Sequence, residues 1–587
     1  MADKKELYDN SVILYDESSR QWLYFHHPEK MYEAHSYNAV LSALHNIEHY
    51  LKHEGYYAAG FVAYEAAPAF DPAISVKSST AFPLAWFCLY KKPDYISLPQ
   101  ACNPPVENPV WKPSINREEY TTSLHKIKEY ILDGDTYQVN YSYRLYAPFS
   151  EDTLPFFVRM AQAQGTCYGA YIHTGDWTIC SASPELFFKR DQGVLTSRPM
   201  KGTTRRGLWY AQDMQEAEWL YTSGKNRSEN LMIVDMVRND LGRIGEIGSV
   251  EVASLFDIEQ YPTLWQMTST VRCRTHAGIT DILHALFPSA SITGAPKVST
   301  MKIIHELEST PRKIYCGTIG YCSPSGNLQF NVAIRTVLVD RRTNTAEYGV
   351  GGGILWDSMD DAEYEECAIK AQVLTRILPD FSLFETLLWT PEDGYVLLER
   401  HLKRLDESSR YFSRPLNHDL VHQKLADCER EMTPCPHRIR LVVSAEGNPV
   451  VESTNLSRAQ QPYTMRLARN PVDSTDVFLY HKTTQRHVYE KALAESPGYN
   501  DVLLWNERKE ITESCIANLV VEINGELLTP PLSSGLLAGT YRSFLLDEGK
   551  IREEIIHVDD LEKCTKFFLI NSVRGMWEIV LDTNRIQ

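Results

Sequence analysis

The sequence predicts an α+β protein that folds as two domains. Its 587 residues are more than one hydrophobic core usually supports. Strand-like runs and helical stretches alternate along the chain, and this pattern restarts at 377–389, ILPDFSLFETLLW, after a Pro-Asp break. The following segment of about 200 residues is long enough to fold on its own. We therefore predict one domain at 1–378 and a second at 379–587.

The N-terminal part begins with short strands and one helix. The runs SVILY, QWLYFHH and YYAAGFVAY are strand-like, whereas residues 37–53 have a helical pattern. Residues 99–114 are rich in proline and predict a connector. A helix from residue 117 and the strand TYQVNYSYRLYA come next, and mixed strands and helices continue to about 378.

Charge and composition argue against several classes of protein. The net charge is −17 and no basic block occurs, so we expect no nucleic acid or anionic membrane as partner. An anionic small substrate remains compatible with a locally positive pocket. The N-terminus lacks the apolar core of a signal peptide, and no run is long enough to span a membrane. The twelve cysteines form no CxxC pair, which predicts reduced thiols in a cytoplasmic protein.

Lys201, in SRPMKGTTRRG (197–207), is the first residue that indicates chemistry. The preceding strand-like run should carry it into the interior, where an ammonium is costly unless it is paired or reactive. Two extended runs flank Asp191-Gln192-Gly193, a hairpin signal. Such a hairpin places Glu185 opposite Pro199 and within reach of Lys201. Taken alone, the pair predicts an ordinary salt bridge.

Two further clusters carry acidic residues. Glu229 lies near the start of a helical pattern at 225–245, where the helix dipole favours an acid. In 349–371 the glycines allow a close backbone approach to a ligand. Glu363, Glu366 and Lys370 share one helix face there. Two acids on one face suit a magnesium ion with waters, and a solvated helix face is the ordinary alternative.

Residues 1–378 resemble the chorismate-utilising enzymes, which include the anthranilate synthase large subunit, aminodeoxychorismate synthase component I and isochorismate synthases. The resemblance implies two packed antiparallel sheets flanked by helices. The matching blocks, in order along the chain, are GDTYQVN (134–140), SPELFF (183–188), RPMKGTTRRG (198–207), SENLMIVDMVRNDLGRIG (228–245), SITGAPK (291–297), YCGTIGY (315–321), FNVAIRT (330–336) and GVGGGILWDS…EYEE (349–366).

Within this family, a lysine at the position of Lys201 is the mark of aminodeoxychorismate synthase, whereas anthranilate synthases tend to carry alanine. The resemblance implies that Lys201 attacks C2 of the chorismate ring as the C4 hydroxyl leaves. Ammonia then adds at C4 and expels the lysine. This covalent catalysis needs an unprotonated amine, and burial lowers the pKa of a lysine.

The other site residues are carried over from the family by position. Glu185 matches the general acid/base, Glu229 and Glu366 match magnesium ligands, and Glu363 lies near the metal. Gln266 stands where many relatives have histidine, so either that histidine is dispensable beside a lysine nucleophile or Gln266 only hydrogen-bonds the substrate. The remaining substrate-binding matches are Tyr315, Arg335, Thr293, Gly294, the glycines Gly351, Gly352 and Gly353, and Lys370.

The segment 380–587 resembles the fold-type IV pyridoxal-phosphate enzymes, which include aminodeoxychorismate lyase and the branched-chain and D-amino-acid aminotransferases. The matching blocks are LFETLLW (383–389), HLKRLDESS (401–409), HRIRLVVSAEG (437–447), HKTTQRHVYEKAL (481–493), DVLLWNERKEITESCIANLVVE (501–522) and TPPLSSGLLAGTYR (529–542).

This second resemblance implies a complete cofactor site. Lys482 matches the Schiff-base lysine, and Glu513 matches the acid that pairs with the pyridine nitrogen, so that the ring acts as an electron sink. Arg404 matches a phosphate ligand. Gly539 and Thr540 lie in a turn that should open a helix, whose free N–H groups suit a phosphate.

Together the resemblances imply consecutive reactions: amination of chorismate to 4-amino-4-deoxychorismate, then loss of pyruvate to give 4-aminobenzoate, a folate precursor. We find no Gly-flanked nucleophilic cysteine with a downstream His-x-Glu, so we expect ammonia from a separate glutamine amidotransferase subunit or from solution. The alternatives are a transaminase or a silent module in the second domain, and an anthranilate synthase, which Lys201 disfavours. A homodimer through 380–587 is a further hypothesis.

Overall fold

The computed structural model describes residues 9–79, 81–98, 109–165, 167–376, 379–456 and 462–582. The chain divides into two compact units. The first comprises Met1–Arg205 and Ala217–Leu378, and the second comprises Arg206–Glu216 and Pro379–Gln587. Most of the predicted connector at 99–114 lies outside the described residues, as do residues 377–378 of the predicted boundary.

The described part of the first unit contains two large antiparallel sheets. In spatial order, the strands of one sheet are Gly294–Ala295, Gln138–Pro148, Thr345–Ile354, Thr336–Asp340, Trp177–Ser181, Ala170–His173, Ser11–Asp16, Gln21–Phe25 and Asp94–Ile96, with Lys112–Pro113 beside Gln138–Pro148. Those of the other are Met200–Arg205, Leu264–Arg274, Val194–Arg198, Leu186–Asp191, Leu328–Val332, Thr318–Cys322, Tyr57–Val62, Ala85–Tyr90 and Lys30–Ala34, with Glu251–Gln260 beside Leu264–Arg274.

The core of this unit lies between the two sheets. Leu14 and Phe25 of one sheet pack in the same buried cluster as Phe61 and Trp86 of the other. Helices cover both outer faces. Their bounds are Tyr37–Glu54, Ala67–Phe70, Arg117–Leu132, Thr153–Gln164, Gly224–Gly242, Ile279–Leu286, Lys297–Leu307 and Asp360–Ala371. A further helix, Tyr210–Thr222, is divided in sequence between the two units. The expected fold, two packed antiparallel sheets flanked by helices, is confirmed.

Local sequence explains where the helices begin and end. Ser36 caps Tyr37–Glu54, and Gly55 ends that helix in the left-handed region at φ 71°. Asn116 and Glu119 form a capping box at the start of Arg117–Leu132. The helices predicted over 37–53 and from 117 are therefore confirmed.

The predicted hairpin is also confirmed. Asp191 pairs with Val194, and the two turn residues, Gln192 and Gly193, have φ of 47° and 80°. Positive φ at both positions is typical of the type I′ turn that joins antiparallel strands. The pairing of Leu186 with Arg198 brings Glu185 beside Pro199, at the end of the hairpin that leads to Lys201.

The second unit is built on two sheets of its own within the described residues. One has the order Gly394–Tyr395, Leu383–Thr390, His437–Val443 and Pro449–Asn455. The other has the order Arg552–Glu553, Glu526–Thr529, Asn518–Ile523, Ile511–Ser514, Asp501–Trp505, Thr464–Leu467 and Val580–Asp582, with Lys566–Asn571 and Gly575–Glu578 branching from Asn518–Ile523. The helices are Leu398–Tyr411, His418–Arg430, His487–Ala494 and Thr540–Asp547.

The segment Arg206–Glu216 is an integral part of this second unit. The Tyr411 hydroxyl donates a hydrogen bond to the Gly207 carbonyl at 2.7 Å. The Trp209 ring stacks on Tyr480, with 5.5 Å between centroids. The unit is therefore not continuous in sequence. Across the described residues of the whole chain, we find no helix long and apolar enough to cross a membrane.

Candidate active sites

In the first unit, most of the predicted site residues line one cavity of about 550 Å³. Residues of both sheets and of two helices contribute to it. From the predicted set, the cavity is lined by Glu185, Lys201, Glu229, Gln266, Tyr315, Arg335, Gly351, Gly353, Glu363, Glu366 and Lys370. Thr293 and Gly294 are buried outside this lining, and Gly294 pairs with Val139 in the sheet.

Lys201 reaches the cavity because its strand contains a β-bulge. Met200 pairs with Thr268 and Thr203 pairs with Gln266, so Lys201 and Gly202 together oppose the single residue Met267. Gly202 has φ of 96°, a conformation that favours glycine. Bulges bend a strand and redirect its side chains, and they are common beside active sites.

Glycines of the strand Thr345–Ile354 make room for the functional side chains. A Cβ atom at Gly349 would lie 2.2 Å from the Tyr315 ring. One at Gly352 would lie 3.0 Å from a carboxylate oxygen of Glu363, and one at Gly353 would lie 2.8 Å from Lys201 Nζ. The glycines of GVGGG therefore leave room for side chains of the site. The sequence predicts a second role for them, which is to let a ligand approach the backbone closely.

Lys201 and Glu185 form an amine and acid pair in the cavity wall. Burial lowers the pKa of Lys201. Burial also raises the pKa of Glu185 to about 7, although the Ser291 hydroxyl donates a hydrogen bond to this carboxylate at 2.6 Å. Burial therefore shifts the pair towards a neutral amine and a protonated carboxyl. Ser291 belongs to the SITGAPK block, but the sequence analysis assigned it no role.

Glu229, Glu363 and Glu366 place three carboxylates on the same cavity. Burial raises the pKa of both Glu229 and Glu363, and the Ser358 hydroxyl donates to Glu363 at 2.6 Å. The Lys370 ammonium, 2.6 Å from Glu366, lowers the pKa of that residue. The predicted common helix face is confirmed by the helix Asp360–Ala371, which carries both Glu363 and Glu366.

These carboxylates do not form a complete metal site by themselves. In the part of the chain that the structure describes, no three His, Cys, Asp or Glu side chains are arranged to hold a metal ion. Mg²⁺ commonly takes one or two protein carboxylates and completes its shell with waters and substrate oxygens. The donor chemistry therefore fits a magnesium ion that is held jointly with a substrate.

Tyr315 and Arg335 are fixed by packing and hydrogen bonds. The Arg144 guanidinium lies 4.9 Å from the centroid of the Tyr315 ring. Arg335 uses Nη1 to donate to Gln164 Oε1 at 3.3 Å and to the Lys370 carbonyl at 3.1 Å. The buried Arg335 side chain thus brings a positive charge to a fixed point of the cavity wall.

In the second unit, all five residues predicted to bind the cofactor line one cavity of about 280 Å³. The five are Arg404, Lys482, Glu513, Gly539 and Thr540. Burial and the Arg404 charge lower the pKa of Lys482 to about 8. Its Nζ lies 4.8 Å from the centroid of the Phe384 ring.

Glu513 is held at both carboxylate oxygens. The Tyr489 hydroxyl donates to Oε1 at 2.8 Å, and the Asn518 side-chain amide donates to Oε2 at 3.0 Å. Burial raises the pKa of Glu513 to about 7. The side chain is therefore oriented in advance for a partner in the cavity.

Arg404 lines the same cavity, near a helix N-terminus. Its guanidinium donates to both carboxylate oxygens of Glu385, at 2.6 and 2.9 Å, and to the Ala538 carbonyl at 2.9 Å. Thr540 begins the helix Thr540–Asp547, and Gly539 is its N-cap. A Cβ at Gly539 would lie only 1.9 Å from the Asn518 side-chain oxygen. A guanidinium and a helix N-terminus together suit a phosphate.

An amine, a carboxylate and a phosphate-binding end are the groups that pyridoxal phosphate requires, so the residues present fit this cofactor. The cavity is also lined by four arginines that were not predicted from the sequence: Arg438, Arg440, Arg486 and Arg574. Arg438 and Arg440 alternate along one strand, so both point to the same face of the sheet. The alternation of arginine with other residues in HRIR (437–440) was the available signal.

Comparisons with known proteins assign each region to a family. Residues 96–376 match the chorismate binding enzyme family, and residues 382–581 match the class IV amino-transferase family. The chain joins a chorismate binding enzyme domain to a class IV amino-transferase domain.

Curated relatives match the first of these domains. The chain is 41% identical over 275 residues to aminodeoxychorismate synthase component 1 of Klebsiella aerogenes, which is 46% of this chain and 59% of the relative. It is 33% identical over 270 residues to anthranilate synthase component 1 of Pseudomonas aeruginosa, covering 46% of this chain and 54% of the relative. Each match thus spans less than two thirds of the curated relative.

A solved structure supports the fold of the first unit. Anthranilate synthase component I from Streptococcus pneumoniae aligns with a TM-score of 0.54 at 23% identity. The alignment covers 64% of this chain and 95% of that chain.

Proposed function

We propose that the chain makes 4-aminobenzoate from chorismate and ammonia in two consecutive reactions. The first unit would form 4-amino-4-deoxychorismate, with release of water. The second would split this product into 4-aminobenzoate and pyruvate. The curated relative from Klebsiella aerogenes, which is named aminodeoxychorismate synthase component 1, supports the first assignment. The complete set of cofactor-binding groups around Lys482 supports the second.

In the first reaction Lys201 acts as the nucleophile and Glu185 as the general acid. The Lys201 amine bonds to ring carbon C2 while the C4 hydroxyl leaves, taking a proton from Glu185. Ammonia then bonds to C4, and the bond between Lys201 and C2 breaks to restore the free amine. Burial lowers the pKa of Lys201 and raises that of Glu185, and both shifts favour the protonation states that these steps need.

The cavity around these two residues suits a dicarboxylate. Arg335 and Lys370 present positive charge, and Tyr315 can donate a hydrogen bond. Glu229 and Glu366, with Glu363 nearby, would share a magnesium ion with water and substrate oxygens, and its positive charge would neutralise and orient a substrate carboxylate. The substrate-binding role of Thr293, Gly294 and Gly352 stays a prediction, because these residues lie outside the cavity lining.

In the second reaction the protein binds and orients the substrate and moves protons. Pyridoxal phosphate, held by Lys482, Glu513, Arg404 and the helix that begins at Thr540, would supply an electron sink. The bond from the ring to the enolpyruvyl oxygen breaks, a ring proton leaves, and the enol takes up a proton to become pyruvate. Lys482 can carry protons near neutral pH because its pKa is about 8.

The observation that carries the proposal is the placement of Lys201. Its bulged strand directs the amine to the gap at Gly353, in the cavity that Glu185 also lines. This arrangement favours a reacting amine over a structural ion pair. It also favours the aminodeoxychorismate synthase reaction over the anthranilate synthase reaction, since the latter enzymes tend to have alanine there.

A product assay tests both reactions. The full chain is incubated with chorismate, ammonium, magnesium and pyridoxal phosphate, and the products are separated. We expect 4-aminobenzoate and pyruvate, both of which disappear in Lys201→Ala. Accumulation of 4-amino-4-deoxychorismate would show that the second unit is a transaminase or a silent module. Formation of anthranilate would overturn the role of Lys201.

The partner assignments belong to the same proposal. We propose that a separate glutamine amidotransferase subunit supplies ammonia in the cell, where the protein works in the cytoplasm. Activity with free ammonium but not with glutamine would support this source, whereas glutamine-dependent activity of the purified chain would contradict it. A homodimer through 380–587 is tested by light scattering, which would give a single monomeric mass if the hypothesis is wrong.

A further inference from the structure

Two side-chain amides hold the backbone of the bulge that carries Lys201. The Asn230 amide donates to the Lys201 carbonyl at 3.2 Å, and the Gln266 amide donates to the Gly202 carbonyl at 2.8 Å. A bulge interrupts the ladder of backbone hydrogen bonds, so its polar groups need other partners. Here side chains from the neighbouring helix and strand provide them.

Gln266 uses both ends of its amide on the strand of Lys201. Its nitrogen donates to the Gly202 carbonyl, and its oxygen accepts a hydrogen bond from the Thr203 hydroxyl at 3.0 Å. Gln266 and Thr203 are also direct partners in the strand pairing. The side chain lines the cavity and is 9% exposed, but its hydrogen bonds go to the protein.

Asn230 holds the bulge from the opposite direction. Its side-chain oxygen accepts a hydrogen bond from the Ser269 hydroxyl at 2.5 Å, which fixes the amide while its nitrogen contacts the Lys201 carbonyl. The peptide between Lys201 and Gly202 therefore has limited freedom. Gly202 fits this arrangement closely, since a Cβ there would lie 3.1 Å from Asn226 Cβ.

We propose that Gln266 is a positioning residue for Lys201: it clamps the Gly202–Thr203 end of the bulge so that the lysine amine enters the cavity at Gly353. This inference rests on the proposed function, because the clamp affects turnover only if Lys201 is the reacting group. It replaces the substrate hydrogen bond that the sequence left open for Gln266, and it is compatible with the other alternative, a dispensable histidine. A nucleophile that is misplaced by about 1 Å reacts on the order of a hundred times more slowly.

Three variants of the full chain test the clamp. Gln266→Leu keeps the approximate length and removes both hydrogen bonds, whereas Gln266→Glu keeps the acceptor for Thr203 and removes the donor to Gly202. Gln329→Leu is the matched control. The Gln329 amide also donates to one carbonyl, that of Tyr15 at 2.7 Å, and accepts from one donor, the Glu17 N–H at 3.1 Å.

Two readouts separate positioning from general stability and from substrate binding. The first is kcat and KM for chorismate in the amination reaction with ammonium. The second is the acetylation rate of Lys201 by acetic anhydride, measured by peptide mass spectrometry without any substrate. We expect both Gln266 variants to lose at least about tenfold in kcat with KM unchanged, and to change the Lys201 acetylation rate by several-fold. Gln329→Leu should leave both quantities as in the parent.

Other outcomes would overturn the inference. A raised KM with unchanged kcat and unchanged Lys201 acetylation would mean that Gln266 contacts the substrate instead. Unchanged values of all three quantities in Gln266→Leu would mean that the amide does not position the lysine. If the parent chain does not aminate chorismate, the proposed function fails by itself, and the acetylation rates of Lys201 still test the clamp.

Discussion

Gly353→Ala is the perturbation that tests the geometry around Lys201 most sharply. The new methyl group would lie 2.8 Å from Lys201 Nζ and 2.5 Å from the Gln138 side-chain nitrogen. Carbon and nitrogen atoms without a bond pack comfortably at about 3.5 Å. The lysine amine must therefore withdraw by roughly 0.7 Å, because the Gly353 backbone is held by its pairing with Asn140.

The expected effect is a large loss of kcat in the amination step. A displacement of this size at a reacting atom slows the reaction by roughly a hundredfold. The cost in the free energy of unfolding should be small, because the two crowded atoms are the ends of the flexible Lys201 and Gln138 side chains. The assay measures formation of 4-amino-4-deoxychorismate from chorismate and ammonium, alongside the thermal midpoint of the variant.

Two controls accompany this variant. Gly242→Ala adds the same methyl group at a helix end where no atom lies within 4 Å of the new Cβ, so its activity should match the parent. The second unit of Gly353→Ala should still convert added 4-amino-4-deoxychorismate to 4-aminobenzoate. A folded Gly353→Ala variant with the kcat of the parent would refute the placement of the lysine amine at this gap.

The remaining predictions concern the acids and the second lysine. Lys482→Ala should abolish formation of 4-aminobenzoate and make 4-amino-4-deoxychorismate accumulate. The variant should also lose the absorbance of bound pyridoxal phosphate near the edge of the visible range. Retention of this absorbance would contradict the role of Lys482 in binding the cofactor. Trapping of pyridoxal phosphate on Lys482 with borohydride should rise as pH increases through about 8, because the neutral amine forms above its pKa; a midpoint near the ordinary lysine value would contradict the effect of burial. The kcat of amination should fall as pH rises through about 7, where the Glu185 carboxyl loses its proton. Glu185→Gln should react slowly and should lack this pH-dependent fall. If the fall persists in Glu185→Gln, the titrating group is a different residue.

The sequence predicted the elements whose signals are local. The residues Asp191-Gln192-Gly193 predicted the hairpin and the approach of Glu185 to Pro199. The register shift between Leu186 and Lys189, which contributes to this pairing, was not predicted. Helical spacing likewise placed Glu363 and Glu366 on one face of a helix. The cofactor-binding residues of the second unit came from motif order, and the cavity contains all five of them.

Features that depend on packing between distant segments could not be read from the sequence. The bulge at Lys201 arises from pairing with Leu264–Arg274, more than sixty residues later. The roles of the glycines at 349, 352 and 353 depend on which side chains meet that strand. The Glu366–Lys370 ion pair and the Arg404–Glu385 ion pair were not predicted either, because spacing alone does not give a side chain's orientation.

The central claim is that Lys201 bonds to the chorismate ring during amination. The most direct measurement is mass spectrometry of the chain after incubation with chorismate and magnesium but without ammonia. The account predicts that the peptide carrying Lys201 gains the mass of chorismate less one water, and that ammonium removes this adduct. Absence of the adduct, together with formation of 4-amino-4-deoxychorismate by Lys201→Ala, would contradict it.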